Sequence, residues 1–206
     1  MVYLTFLRRC EMKLGDICQI KTGLVLSRKK AEFQYDAKAT YNLLSLKNIS
    51  EDGFIVNDSF DEFISNDKLD GHYFTEEGDV LMRLSQPYST VYIDKNYSGL
   101  LIPSYFAIIK VNNTEVLPQY IAWYLNTKYV KNELERSQAG SRIPSTNQHT
   151  IKNIPVVLTP IKQQQILIEL YQLHQKEKLL YKKIIEEKEL LFQGITQQLL
   201  GGTKND

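Results

Sequence analysis

Apolar residues follow a short, strand-like period over the first half of this chain and a helical period over its last forty residues. Runs at 41–46, 53–56, 79–84, 90–93 and 105–111 are rich in β-branched and aromatic side chains, and turn-forming clusters at 51–53, 70–71, 77–79 and 96–99 separate them. These read as strands. At Leu117 the period changes, and the spacing predicts a helix with Pro118 in its first turn and Ile121, Leu125, Tyr129 and Leu134 on its buried side, ending near 137–140. A polar loop (140–149) and a short apolar strand (154–158) follow. Pro160 then opens a second, much longer helix, with Thr159 placed to cap it.

That last helix is the most informative feature of the chain. From Ile161 to Leu200 there is no proline, and the first glycine is Gly194. Ile166, Leu170, Leu173, Leu180, Ile184, Leu191, Ile195 and Leu199 recur at steps of three, four or their sums. The seam is too narrow to bury a helix in a globular core and suits packing against one partner helix. Glu177 and the Glu187/Lys188 pair interrupt it, as polar residues that fix register and partner number do. At 1.5 Å per residue the helix runs roughly 60 Å. The organisation expected is therefore a β-rich domain over 1–159, a spacer and dimerisation helix over 160–202, and a tail at 203–206.

With 43% hydrophobic residues the 206-residue chain has ample material for a core. Two cysteines, Cys10 and Cys18, are too few for a disulfide framework and read as reduced thiols in a cytoplasmic protein. No window approaches the roughly 18 apolar residues of a membrane span, and the N-terminal run lacks the charge order of a signal peptide. The formal charge of +1 decides little, but its distribution is uneven. Residues 51–79 carry ten acids against one lysine, whereas 13–47 carry seven basic residues against three acids and 128–152 five against two. This patterning leads to the expectation that opposite faces of the domain carry opposite signs, the basic one available to phosphates. The alternative is that these are scattered, solvated charges.

Signals of catalysis are scarce. No glycine-rich phosphate loop follows a strand, and His72, His149 and His174 are far apart with no metal-ligand spacing. No nucleophile motif occurs, and the acid pair Glu76-Glu77 has no basic partner in register. Tyr120, Trp123 and Tyr124 offer rings for base stacking, but at helical spacing beside Ile121 and Leu125 they read as core and packing residues. The chain is expected to bind and position, with neither metal nor cofactor, and is not expected to be an enzyme.

Several pieces in fixed order resemble the specificity subunits of type I restriction–modification systems. Residues 13–17 (Lys-Leu-Gly-Asp-Ile) with 21–23 (Lys-Thr-Gly) resemble the opening of their target-recognition domain, and 77–82 (Glu-Gly-Asp-Val-Leu-Met) its central strand. Residues 117–126 match the helix placed after the β-rich part. The run 140–144, the strand 154–158, Pro160, Gln163-Gln164 and the 199–201 ending resemble the junction into a long helix. The resemblance spans 13–202. It departs from the family at Lys162-Gln163, where an acid commonly precedes the glutamine, and in having one recognition domain and one long helix where two of each are usual.

The resemblance implies an α+β protein, a β-rich target-recognition domain followed by a long C-terminal coiled-coil helix. It implies a non-catalytic subunit that reads one half of a bipartite site in double-stranded DNA. It also implies docking to methyltransferase (M) subunits and, through them, to a restriction/translocase (R) subunit. A chain with one helix is then either a half-subunit that forms a homodimer, its seam antiparallel to its copy, or a remnant of a longer gene. A coiled-coil adaptor or decoy with a degenerate recognition domain is the rival reading, kept open by the balance of 18 basic and 18 acidic residues over 1–160. Base reading needs side chains with paired donors and acceptors. The loop residues that supply them are Lys21, Thr22, Arg28, Lys29 and Lys30; Arg83, Ser85, Gln86 and Tyr88; and Ser141, Arg142, Asn147 and Gln148. Arg83, Gln86 and Arg142 are the expected base readers, each beside glycine or proline or at an element's end, and Lys29-Lys30 the expected phosphate contacts.

Overall fold

The computed structural model describes residues 11–56, 59–137 and 145–201, and its contacts divide the chain between Gln165 and Ile166. Among the described residues of the first unit eight short strands form three antiparallel groups. Strands β2 (Cys18–Thr22), β5 (Val80–Arg83), β6 (Thr90–Tyr92) and β7 (Phe106–Val111) make a sheet in the order β2-β7-β5-β6. Strands β3 (Ala39–Leu43) and β4 (Asp61–Ser65) form a ribbon, and β1 (Glu11–Lys13) pairs with β8 (Pro155–Val157). A one-turn helix α1 (Leu14–Ile17) joins β1 to β2.

The central strands are apolar on both faces because both are covered. Leu81, Phe106 and Ile108 pack with Leu44, Val91, Ile93, Leu100 and Ile102 in one core cluster. Leu24, Phe63 and Leu101 seed a second cluster beneath the β3–β4 ribbon. The expected strand at 53–56 contributes only a single bridge, Ile49 to Ile55.

The predicted helix after Leu117 is two helices, α2 (Pro118–Leu125) and α3 (Lys128–Ser137). Asn126 breaks it. Its Oδ1 accepts from the Thr90 amide at 3.0 Å and its Nδ2 donates to the Thr90 carbonyl, so one side chain satisfies both backbone groups of a neighbouring strand. The break changes the buried face: Val130 and Leu134 are enclosed, whereas Tyr129 is 56% exposed. Tyr120 and Tyr124 are buried, their hydroxyls donating to the carbonyls of Val157 and Pro155, which ties α2 to β8. They pack, as their spacing implied.

Helix α4 (Gln148–Lys152) stands where the polar loop was expected to continue, capped by the Asn147 side chain, which accepts from the Thr150 amide at 3.0 Å. The long helix α5 runs Ile161–Gly201. Pro160 lies just outside it, its carbonyl accepting from Gln163 and Gln164. Thr159 does not cap it: the hydroxyl is buried without a hydrogen-bond partner. Among the described residues no helix is long and apolar enough to cross a membrane.

Candidate nucleic-acid interface

Strands β2 and β5 flank β7 and both run antiparallel to it, so both end where β7 begins. Thr22 and Met82 pair with Ala107 from opposite sides, and Arg83 pairs with Phe106. Residues sixty positions apart in sequence thus finish at the same end of the sheet, one on each side of β7. Beyond Arg83 the chain turns tightly, the Tyr88 amide donating to the Ser85 carbonyl at 2.9 Å across a cis Gln86–Pro87 peptide. The segment preceding α4 docks on this turn: Ser145 bridges Ser85, and the Thr146 amide donates to the Leu84 carbonyl at 2.7 Å. Gln148 then reaches across to β2, its Nε2 donating to Thr22 Oγ1 at 2.6 Å.

The structure therefore gathers Lys21, Thr22, Arg83, Ser85, Gln86, Asn147 and Gln148 from three sequence regions at one end of the sheet. Asn147 and Gln86 are exposed, while Arg83, Ser85 and Gln148 are half-buried. The Arg83 Nε donates to Ser85 Oγ at 3.1 Å, which orients the guanidinium. Gln86 Nε2 lies 3.4 Å from Glu135 on α3, a carboxylate that sequence reasoning did not place beside the turn. Tyr88 stands apart from the group. Its ring is fully buried, its φ is +54°, and its hydroxyl has no partner, so it supports the turn from beneath. Ser141 and Arg142 lie outside the described residues.

Arg28, Lys29 and Lys30 belong to a different place. The Lys29 carbonyl accepts from the Asn66 amide, and Lys30 bridges Ser65 at the end of β4. Lys29 Nζ pairs with Asp67 at 2.7 Å, and this hydrogen-bonded ammonium holds the Asp67 carboxyl below the usual carboxylate range. The His72 amide and ring, with Lys21 beyond them, do the same for Asp70. Lys47 pairs with Asp61, and Lys110 with Glu76 and Asp79. Folding sets part of the acidic stretch against basic residues, which reduces the charge asymmetry expected from the sequence. β3 itself carries no charge; Lys29 and Lys47, on the segments before and after it, are the residues that meet Asp67 and Asp61.

Two sequence motifs have structural explanations. Gly23 passes so close to the chain at 102–103 that a Cβ there would stand 2.3 Å from the Pro103 carbonyl oxygen and 2.4 Å from that of Ile102. No other residue fits. Gln164, in the first turn of α5, is fully buried: its Oε1 accepts from the Leu117 amide at 2.9 Å, and its Nε2 donates to the carbonyls of Glu115 and Thr159 at 2.8 and 2.7 Å. Every hydrogen-bonding group of a buried amide is matched except one lone pair, the arrangement burial demands. Its neighbour Gln163 is exposed. Periodicity carried no sign of this difference.

Along α5 the eight seam residues are 47% to 72% exposed, an unpartnered apolar stripe. Counting Glu177 and Lys188 as seam positions, nine steps cover the distance from Ile166 to Leu199, roughly 3.7 residues per step against 3.6 for a straight α-helix. The stripe stays on one face with little drift, so a partner helix can follow it with little supercoiling. Cys18 is buried and its thiol is pushed up to about 12 by that burial, which leaves it inert at neutral pH.

Comparison with known proteins places these features in a family. The model of the type I restriction modification DNA specificity domain matches residues 10–189. The fold is similar to that of the HsdS subunit from Thermoanaerobacter tengcongensis (TM-score 0.60, 18% identity, 91% of this chain and 48% of that one). It is also similar to a chain of a type I R-M system solved to explain complex assembly and conformational transition (TM-score 0.67, 16% identity, 95% and 50%). A third likeness is to the type I restriction–modification S subunit from M. genitalium (TM-score 0.52, 14% identity, 92% and 45%). No curated protein sequence matches significantly. The chain spans about half the length of the solved chains it matches. A β-rich unit, a Gly-Asp strand and a buried glutamine opening a 41-residue helix thus have a common explanation: the chain belongs to the family of type I restriction–modification DNA specificity subunits.

Proposed function

We propose that this chain is a non-catalytic, sequence-specific DNA-binding subunit that reads one half of a bipartite site in double-stranded DNA. The observation that carries this reading is the convergence of Thr22, Arg83, Gln86, Asn147 and Gln148 at one end of the β2-β7-β5-β6 sheet. Arginine presents the paired donors that guanine accepts, and asparagine or glutamine the donor–acceptor pair that adenine matches. Arg83 and Gln86 are the base readers in this proposal; of the expected phosphate contacts Lys29 and Lys30, Lys29 is engaged by Asp67, so Lys30 holds phosphates together with Arg28. Arg142 retains the base-reading role expected from sequence. Residues 1–159 form the recognition domain and 160–202 the spacer.

The exposed stripe from Ile166 to Leu199 supports association through α5. Two copies packed antiparallel would form a homodimer with one recognition domain at each end, and its two-fold symmetry would be mirrored in a palindromic split site. Methyltransferase subunits docked on this assembly supply the chemistry, and an R subunit joins through them.

The test is to co-express the chain with the methyltransferase subunit of its host, determine the mass of the complex in solution, and map methylated sites across the genome. Two copies of this chain and methylation at split palindromes are the expected results. DNA binding without sequence preference, even with the methyltransferase present, would reject the recognition role and favour an adaptor.

A further inference from the structure

Residues 31–38 leave and rejoin the body at one point. The Ala31 amide donates to the Ile64 carbonyl at 3.0 Å, and the Lys38 amide to the Ser65 carbonyl at 2.8 Å. Between these stems the loop carries a single 3₁₀ turn, Gln34–Asp36, closed by the Asp36 amide on the Phe33 carbonyl. Two aromatic rings stand on that turn. Phe33 and Tyr35 are stacked with centroids 5.2 Å apart and planes within 5° of parallel, and they are 55% and 82% exposed. Every other tyrosine and phenylalanine of the first unit's described residues, Tyr129 excepted, is at least half enclosed. Large rings left in water at a loop tip contribute nothing to the core. Their exposure points to a surface they meet.

The surroundings favour a polyanion. Tyr35 borders a cleft of about 670 Å³ whose walls include Arg28, Lys30 and Lys38. Glu32, Asp36 and Asp67 also line it, but Asp67 is engaged by Lys29 and drawn on by Lys38, and Arg28 and Lys30 enter no ion pair among the described residues. Free cations beside an outward ring match a nucleotide, whose phosphate and base lie side by side.

We propose that the Phe33–Tyr35 pair is a wedge that enters a base step of duplex DNA, with Tyr35 as the inserting ring and Phe33 as its backing. The proposal rests on the reading of the chain as a DNA-binding subunit. Apolar side chains partly inserted between base pairs unstack the step and kink the duplex, and the stems at Ile64 and Ser65 supply the rigid base a wedge needs. Stacking on a base is tolerant of sequence, so the pair adds affinity and shape selection where Arg83 and Gln86 add direct reading. Flexible steps such as TA and CA would accept it most readily.

The experiment takes a duplex selected by the full chain, with its methyltransferase subunit, from a random-sequence pool. 2-Aminopurine is then placed at successive positions of that duplex. The wild type should brighten the probe at one step per recognition domain and render a neighbouring thymine reactive to permanganate. Tyr35→Ala should abolish both signals and weaken binding about tenfold or more, with the salt dependence unchanged. Tyr35→Phe should retain them. Arg28→Ala should instead lower the salt slope by about one and keep the bright step. Tyr35 is so exposed that its truncation leaves the fold intact, which a thermal melt verifies. Unchanged signals and affinity in Tyr35→Ala and Phe33→Ala would overturn the wedge while leaving DNA recognition standing. Loss of methyltransferase from the complex with DNA contact unchanged would overturn it in favour of a protein interface. Failure of the wild type to select any duplex would remove the underlying DNA-binding reading itself.

Discussion

Gln148, 126 positions along the sequence from Thr22, donates to it at 2.6 Å, and this bond joins the first turn of α4 to the last residue of β2. It fixes a candidate base-reading amide by its own donor, leaving the rest of that amide available.

Replacing Thr22 with Val removes the acceptor while keeping the side chain's shape. The half-buried Gln148 amide then lacks a partner, which should cost about 1 kcal/mol of stability in urea unfolding. It should also relax methylation specificity at one base pair of the half-site and leave the others unaltered. A uniform drop in methylation across all sites would show that the bond serves the fold alone.

Gln164 should be among the least tolerant positions of the chain. Gln164→Ala orphans the Leu117 amide and the carbonyls of Glu115 and Thr159 in an enclosed place, and should destabilise by about 2–4 kcal/mol. Gln163→Ala, one residue earlier and exposed, should lie within about 0.5 kcal/mol of wild type. Equal midpoints in a denaturant titration of the two variants would contradict this account.

Asp79 sets a pH dependence opposite to that of most carboxylates. Burial pushes its carboxyl up, against the pull of the Glu76 amide and the Lys110 ammonium. Because the folded pKa exceeds the unfolded one, near 3.9, the native state holds the extra proton between them and stability is lost as pH rises through that window. Wild type should therefore lose stability relative to Asp79→Asn on going from below pH 4 (about the unfolded pKa) toward neutrality, and the difference should then be constant. The opposite slope would mean that attraction to Lys110 outweighs desolvation.

The seam on α5 should govern self-association. Ile184→Lys places a charge at the centre of the stripe, at a position already 50% exposed in the single chain, so the monomer loses little. Sedimentation at micromolar concentration should show a dimer for wild type and a monomer for the variant, with unchanged circular dichroism in the first unit's melting transition. An identical mass for both would exclude the stripe as the self-association surface.

Locally encoded features were legible in the chain itself. The helix from Ile161 and its stripe follow from periodicity, and the strands β5, β6 and β7 from unbroken runs rich in apolar, β-branched and aromatic residues. Strands β2 and β4 hold only two apolar residues each and so do not stand out as apolar runs, although β2 alternates buried and exposed positions; pairing with β7 and β3 completes them. The break at Asn126 had no local signal either. An asparagine in mid-helix costs little, and its attachment to Thr90 exists only once β6 is beside it.

Sequence alone, then, determined that a β-rich domain is followed by a long helix with a one-sided apolar stripe, because both depend on short-range periodicity. Tertiary structure decided which of the polar loop residues act together. It drew Thr22, Arg83 and Gln148 to one end of the sheet, enclosed Tyr88 beneath them, and left Phe33 and Tyr35 in solvent. It also reduced a charge asymmetry obvious in the sequence by pairing Lys29 with Asp67 and Lys47 with Asp61. Charge and exposure are properties of space, and antiparallel pairing of distant strands sets who is adjacent in space.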